Sequence, residues 1–441
     1  MTSTVVAPCS PVTALPTQRP NLSLVRGAET PSVLGADLVV PLADGGQIPY
    51  ANFDYAASAP CLASAAAAVT EALGEYASAH RGAGILSQRT TRRYEQSRET
   101  VKEFLGCRDD DTVVFTRNTT DATNLLAHAL PAGTRVVVFG SEHHATLLPW
   151  PDAVRLPIPD SPGEAVRSVH AALTELRRGS DATADAPILL AVTGASNVTG
   201  ELWPVAEIST VARRHGARTL LDAAQLAPHR KVDIDALGVD YVAVSGHKLY
   251  APFGAGVLAG RADWLDAARP YLAGGGASAY VGDATSDLVW TTGPARHEAG
   301  TPNVVGAVAL AEACRTLDTA GQDRLAEAEQ RLLAQLRAGL TAIPGVRELT
   351  SFGPDHPRVG IIAFTVAGLD SGQLAEALSQ RYGIGVRAGL FCAHPLTRRL
   401  LGDAAGAPVS AVRASLGLGS SAVHVDRLVT AVSTLAAEAG N

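Results

Sequence analysis

Six short apolar runs, Thr112–Phe115, Arg135–Phe139, Ile188–Val192, Thr219–Leu221, Tyr241–Val244 and Gly256–Ala259, alternate with helical patterns such as Val205–His215 through the middle of this 441-residue chain. Runs that stay apolar at consecutive positions must be covered on both faces. Strands separated by helices pair mostly in parallel. The spacing therefore predicts an α/β architecture, a mostly parallel sheet between layers of helices. Upstream, Cys61 to Cys107 holds two amphipathic helical patterns, the second running Ser87–Phe104 with alternating charge on its outer face. Downstream, Val304–Leu340 reads as one helical bridge, and from Arg358 the pattern is strand, helix, strand, strand, helix, ending in Val423–Ala437. Residues 1–45 mix Pro, Thr, Ser and Gly without periodicity, as a poorly ordered arm does. The expected division is that arm, a large domain over 46–320 and a small C-terminal α+β domain over 321–441. The N-terminal segment is expected to contribute part of the small domain.

Composition narrows the classes of function. Hydrophobic residues make up 46% of the chain and charged residues 18%, which fits a globular enzyme with a large core and excludes a disordered one. The net charge is −7 and no basic stripe is present, so nucleic acid is not an expected partner. No apolar run approaches the roughly 20 residues of a membrane helix, and no basic-then-apolar leader opens the chain. A cytoplasmic protein is expected. The five cysteines, Cys9, Cys61, Cys107, Cys314 and Cys392, are widely spread without a Cys-x-x-Cys pair, so neither a disulfide framework nor a metal site is expected.

In an open α/β sheet, functional groups sit beyond the carboxyl ends of strands. Here each apolar run is followed by polar residues of a different kind. Phe115 precedes Thr116-Arg117-Asn118-Thr119-Thr120-Asp121, and Phe139 precedes Ser141-Glu142-His143-His144. Val192 precedes Ser196-Asn197-Val198-Thr199-Gly200, Leu221 precedes Asp222-Ala223-Ala224-Gln225, and Val244 precedes Ser245-Gly246-His247-Lys248. Lys248 is one of only three lysines, with Lys102 and Lys231. Each piece alone has an ordinary structural explanation: Thr119-Thr120 as an N-cap, Asn197 as a turn residue, Asp222 as a helix cap, the histidines and the lysine as surface groups. Their joint order at successive strand ends points instead to one site that holds an aldehyde cofactor as a Schiff base, namely pyridoxal 5′-phosphate (PLP). Thr119, Thr120, Ser245 and His247 would take its phosphate, Gln225 and Asn197 its ring hydroxyl, and Asp222 its ring nitrogen. Lys248 would alternate between imine partner and general acid/base, with His143 positioned to stack on the ring.

These segments, with Glu142-His143-His144-Ala145, Pro149-Trp150, Ser245-Gly246-His247-Lys248-Leu249-Tyr250 and Glu298-Ala299-Gly300-Thr301-Pro302-Asn303, resemble the aminotransferase class V family of fold-type I PLP enzymes. Within it the chain resembles the cysteine desulfurase and selenocysteine lyase group, from Asn52 to the C-terminus. The resemblance implies a large seven-stranded sheet domain, a smaller C-terminal α+β domain and a homodimer with active sites at the interface. In that family the residue matching Thr301 reaches the phosphate of the neighbouring subunit. Arg413 matches the arginine that clamps the substrate α-carboxylate, a task suited to its planar fork. Ala57, in the segment Asn52–Ala57, matches a substrate-lining turn, while His80 and Arg81 match a stretch that shapes the pocket entrance.

Cys392, in Gly389-Leu390-Phe391-Cys392-Ala393-His394-Pro395, matches the nucleophile that takes sulfur from L-cysteine or selenium from selenocysteine, leaving L-alanine and a persulfide in the cysteine case. A sulfur-acceptor protein is an implied partner. The chain departs from the family pattern here: Leu390-Phe391 stand where histidine is usual, and Ala388 replaces serine or threonine. Apolar neighbours raise a thiol's pKa, whereas Arg387 acts in the opposite direction. An alternative stays open at this point. Cys392 is then a packed loop thiol, and the protein is an aminotransferase, an epimerase or a β-eliminating C–S lyase on a specialised amino acid.

Overall fold

A computed structural model describes residues 30–80, 82–178, 186–284, 286–404 and 406–440. Its centre is a seven-stranded sheet in the order Asp111–Thr116, Gly256–Arg261, Tyr241–Ser245, Ala217–Asp222, Ile188–Thr193, Arg135–Phe139 and Val154–Leu156. Gly256–Arg261 runs antiparallel to both neighbours, and the remaining neighbouring pairs are parallel. The six expected runs all lie in this sheet. The edge strand Val154–Leu156 is too short to stand out as an apolar run.

Both faces of the sheet are covered. Val242 and Val244 pack with Leu221, Val257 and Leu310 on one face, while Tyr241 and Ala243 pack with Leu220, Leu125 and Leu126 on the other. This two-sided burial is why the strands read as continuous apolar runs. The register then aligns their polar ends: Thr193 pairs with Asp222, Asp222 with Ala243, and Ser245 with Gly256. Successive strand ends thus deliver their side chains to one edge.

Gly260, in the antiparallel strand, has φ of +140°, and a Cβ there would meet the Asp240 carbonyl oxygen at 2.0 Å and Tyr241 Cα at 2.8 Å. Both obstacles are backbone of the central sheet. Gly260→Ala is expected to cost about 3 kcal/mol or more, because strained torsions and an overpacked core add. A thermal melt checks this, and an unchanged midpoint would show that the sheet accommodates the methyl.

The second core lies under an antiparallel sheet ordered Val346–Leu349, Ile361–Val366, Ala411–Ser415, Arg387–Gly389. Helices Gln322–Thr341, Ser371–Tyr382 and Ala422–Ala439 supply Leu336, Leu378 and Leu428 to it. The N-terminal part of the chain joins this unit: Ala51–Asn52 pairs in parallel with Ile384–Gly385, and Phe53 is fully buried in the same core.

Several expectations are refined. The helical bridge Val304–Leu340 is two helices, Val304–Ala320 and Gln322–Thr341, because Gly321 adopts φ of +80° and breaks the hydrogen-bond ladder while apolar periodicity continues across it. The expected arm over 1–45 falls partly outside the described residues. Its described part does not lack structure: Val39–Pro41 forms a hairpin with Gln47–Pro49, and Ala43 N donates to the Gln380 carbonyl at 2.8 Å. Strands of three residues, Val39-Val40-Pro41 and Gln47-Ile48-Pro49, are too short to show a periodic signature. The C-terminal region also contains a helix, His394–Leu401, between its last two strands.

Candidate active site

The aligned strand ends open into a cavity of about 220 Å³ between the two cores. Ala57, Thr119, Thr120, His143, Asn197, Asp222, Gln225, Ser245, His247, Lys248, Cys392 and Arg413 all line it. On one wall, helix Thr119–Ala129 begins at the cavity, capped by Asn118, whose side chain accepts from Asp121 N. Ser245 Oγ sits 2.9 Å from Thr119 N, which donates to it, and 2.8 Å from Thr119 Oγ1. Main-chain N–H groups and hydroxyls at a helix start form an anion cradle. The approach is made close by glycine: a Cβ on Gly246 would meet the Ala255 carbonyl oxygen at 2.5 Å, and one on Gly256 would meet Asn118 Cα at 2.5 Å.

Asp222 is the buried carboxyl group of the floor. Its Oδ2 accepts from Thr146 Oγ1 at 2.7 Å and its Oδ1 accepts from Ala224 N at 3.0 Å. Lys248 faces the same space. Burial pulls its amine down to a pKa of about 8, with Asp222 opposing that shift, so about a tenth of the amine is unprotonated at pH 7, far more than in an exposed lysine. His143 is held at a pKa of about 4, first by burial and then by the Lys248 charge. Its Nδ1 accepts from Ala145 N at 3.0 Å, which assigns the proton of the neutral ring to Nε2. Behind it, Glu142 is fully buried beside Asp222, and burial first, then that like charge, raises its pKa well above the carboxylate range.

The opposite wall comes from the smaller unit. Arg413 is almost fully buried; its Nη1 donates to the Asn197 carbonyl at 3.0 Å, its Nη2 to Asp54 Oδ1 at 3.2 Å, and its Nε has no partner. A buried guanidinium N–H without an acceptor is suited to receiving one from a ligand. Cys392 is an exposed free thiol on the turn Leu390–Ala393, where Ala393 N donates to the Leu390 carbonyl at 3.0 Å. The turn is tied to the large unit twice: His144 N donates to the Cys392 carbonyl at 2.8 Å, and Asn197 Nδ2 donates to the Phe391 carbonyl at 2.6 Å.

Two residues named from the sequence lie outside this cavity. Thr301 lines a second cavity of about 360 Å³ with Tyr94, Phe115 and Tyr271. His80 is exposed and does not line the cavity, its Nε2 2.7 Å from Glu95 Oε1 on helix Ile85–Phe104. Arg81 lies outside the described residues. Sequence reasoning missed Asn118, Thr193, Ala195 and Asp54. Asn118 and Thr193 end strand-to-helix and strand-to-turn segments, so the rule used for their neighbours could have found them. Asp54 carries no local signal, because its partner Arg413 is 359 positions away.

The family model for aminotransferase class-V proteins matches residues 51–428. A cysteine desulfurase of Klebsiella pneumoniae is 37% identical over 394 residues, covering 86% of this chain and 92% of that protein. Another from Dickeya dadantii is 37% identical over 370 residues, covering 81% and 84%. Among solved structures, the apo form of a Thermococcus onnurineus cysteine desulfurase superposes with a TM-score of 0.78 at 31% identity, covering 88% of this chain and 95% of that one. The S-sulfonic acid form of an Escherichia coli cysteine desulfurase gives 0.74 at 32% identity, with the same coverage. With the strand-end polar groups gathered in one cavity and the match running through both cores, this chain belongs to the aminotransferase class-V family.

Proposed function

We propose that this protein is a PLP-dependent cysteine desulfurase-like enzyme, taking L-cysteine or selenocysteine to L-alanine, with the sulfur of L-cysteine received on Cys392. The observation that carries this reading is that a free, exposed thiol, a buried guanidinium with an unpartnered Nε and a buried amine of lowered pKa line the same cavity. A β-elimination or a transamination has no use for the thiol.

The residues fit the cofactor. The helix start with Thr119, Thr120, Ser245 and His247 suits a phosphate, and the glycines that leave no room for a Cβ let main chain line that end. Gln225 donates from Nε2 to the Ala56 carbonyl at 2.7 Å and leaves a buried Oε1 without a partner, ready to accept from a ring hydroxyl. Asp222, buried and doubly hydrogen-bonded, would hold a proton on the pyridine nitrogen. When bound, PLP supplies an electron sink for the pair released at the substrate α-carbon.

The chain's own groups then divide the work. Lys248, with its amine near pKa 8, can both attach the aldehyde and carry a proton to and from the α-carbon. His143 stays neutral and offers a proton only from Nε2. Arg413 would fix the α-carboxylate through its free Nε and the second hydrogen of Nη2, fixing the substrate side chain toward the Cys392 wall. Cys392 is exposed enough to pass sulfur onward to an acceptor protein.

A homodimer is also part of the proposal. Its support is that Thr301 lies apart from the chain's own cavity, in a second one lined by Tyr94, Phe115 and Tyr271, as expected of a group that serves a neighbouring copy. Among the described residues no helix is long and apolar enough to cross a membrane. The cytoplasm is the proposed compartment.

Product analysis tests the reading. With cofactor-loaded protein, L-cysteine and a reductant, alanine and sulfide are expected in equal amounts, and Cys392→Ala is expected to lower both by about 100-fold or more while retaining its cofactor. Pyruvate as the product, or turnover indifferent to the substitution, would overturn it.

A further inference from the structure

The residue before the thiol has its own place in the site. Phe391 and Cys392 both adopt left-handed backbone torsions, with φ of +54° and +53°. Neither is a glycine, so two adjacent side chains are held in a conformation that L-residues avoid, and the surroundings must hold them there. Those surroundings are visible. The Phe391 side chain is buried, at 8% exposure, in a small apolar cluster with Val198, Leu349, Leu396 and Ala411. Its ring lies 5.2 Å from the Arg413 guanidinium carbon, within cation–π range, and its carbonyl accepts from Asn197 Nδ2. Meanwhile Cys392, the next residue, is exposed to the cavity. One residue is rooted and its neighbour is presented.

The guanidinium is correspondingly held from three sides. Asn197 O and Asp54 Oδ1 fix two of its nitrogens in plane, and the Phe391 ring packs on it. An aromatic at this position therefore contacts the group that receives one end of the substrate while its backbone carries the group that receives the other. A histidine at the same position would bring a polar ring into an apolar cluster.

Resting on the proposed desulfurase reading, we propose that Phe391 is a positioning residue, which sets the plane of Arg413 through its ring and holds Cys392 toward the cavity through its buried anchor. The two roles separate by side-chain type. Phe391→Leu keeps the apolar anchor and loses the aromatic face, whereas Phe391→Ala loses both.

The experiment reads each end independently in the cofactor-loaded protein. Affinity for L-alanine, which offers a carboxylate but no sulfur, is followed by the change in cofactor absorbance. Alkylation of Cys392 by iodoacetamide without ligand is followed by peptide mass spectrometry. Alanine affinity is expected to fall about tenfold in both variants, in line with loss of a desolvated cation–π contact. Alkylation of Cys392 is expected to change at least about threefold in Phe391→Ala and to stay near the parent rate in Phe391→Leu. With L-cysteine, Phe391→Leu should then raise KM with little change in kcat, while Phe391→Ala should alter both. Alanine affinity equal to the parent in Phe391→Leu overturns the link to Arg413, and parent-like alkylation in a folded Phe391→Ala overturns the anchor. Should Phe391→Ala fail to fold, Phe391→Leu still decides the first link, and alkylation of Leu396→Ala, which loosens the same cluster, decides the second. If the parent protein gives no alanine from L-cysteine, the desulfurase reading falls, but the alanine-binding and alkylation results still judge Phe391.

Discussion

Lys248→Ala is expected to lower turnover by about 1,000-fold or more while leaving the fold intact. The side chain ends in the cavity, so its removal leaves the packing of the strand Tyr241–Ser245 unchanged. What disappears is an amine that burial has brought to a pKa of about 8, able to act as nucleophile near neutral pH and then as proton carrier. The residual cavity retains Asp222 and the hydroxyl cradle at Thr119 and Ser245, so cofactor should still bind, but without a covalent link. Borohydride treatment followed by peptide mapping checks this directly. With three lysines in the chain, the modified peptide is assigned without ambiguity. A fixed cofactor on Lys102 or Lys231, or activity within tenfold of the parent, would remove Lys248 from its assigned role.

Asp222→Asn is the second large effect, and its sign can be worked out group by group. The amide keeps nearly the shape of the carboxylate, and its oxygen can still accept from Ala224 N, while Thr146 Oγ1 can turn to accept instead of donate. Stability should therefore change little. The lost charge acts on its neighbours. Asp222 opposes the burial-driven fall of the Lys248 pKa, so the amine moves further below about 8; Asp222 also raises the Glu142 pKa, so Glu142 moves back toward the carboxylate range. A neutral amide cannot hold a proton on a pyridine nitrogen, and turnover should fall about 100- to 1,000-fold. Steady-state kinetics beside a thermal melt check the pair of expectations. Turnover within threefold of the parent would mean that the carboxylate charge is not used.

The strands of the large unit were legible in the sequence, and their order was not. Apolar runs such as Tyr241–Val244 announce strands because burial on both faces demands unbroken hydrophobicity, and the polar residues that follow them are adjacent in the chain, so they travel with the strand. For that reason Thr119, His143, Asn197, Asp222, Ser245 and Lys248 were legible as one site before any coordinates, and the structure places all of them on one cavity. Thr301 and His80 were legible as motif members, and both lie outside this chain's own cavity, Thr301 in a second cavity and His80 beside Glu95.

Other features have no local trace. Gly321 ends one helix and starts the next by a single torsion, against an apolar periodicity that runs on. Asp54 reaches Arg413 across 359 positions. The turn at Phe391 and Cys392 is written in torsions that neither residue prefers, imposed by the apolar cluster beneath one and the guanidinium beside it. The sheet and the chemical inventory of its edge are written locally, since period and adjacency are properties of a short stretch of chain. That a thiol, a guanidinium and an amine line one cavity follows from the folded chain alone, since it depends on two cores meeting and on long-range contacts strong enough to hold a strained turn in place.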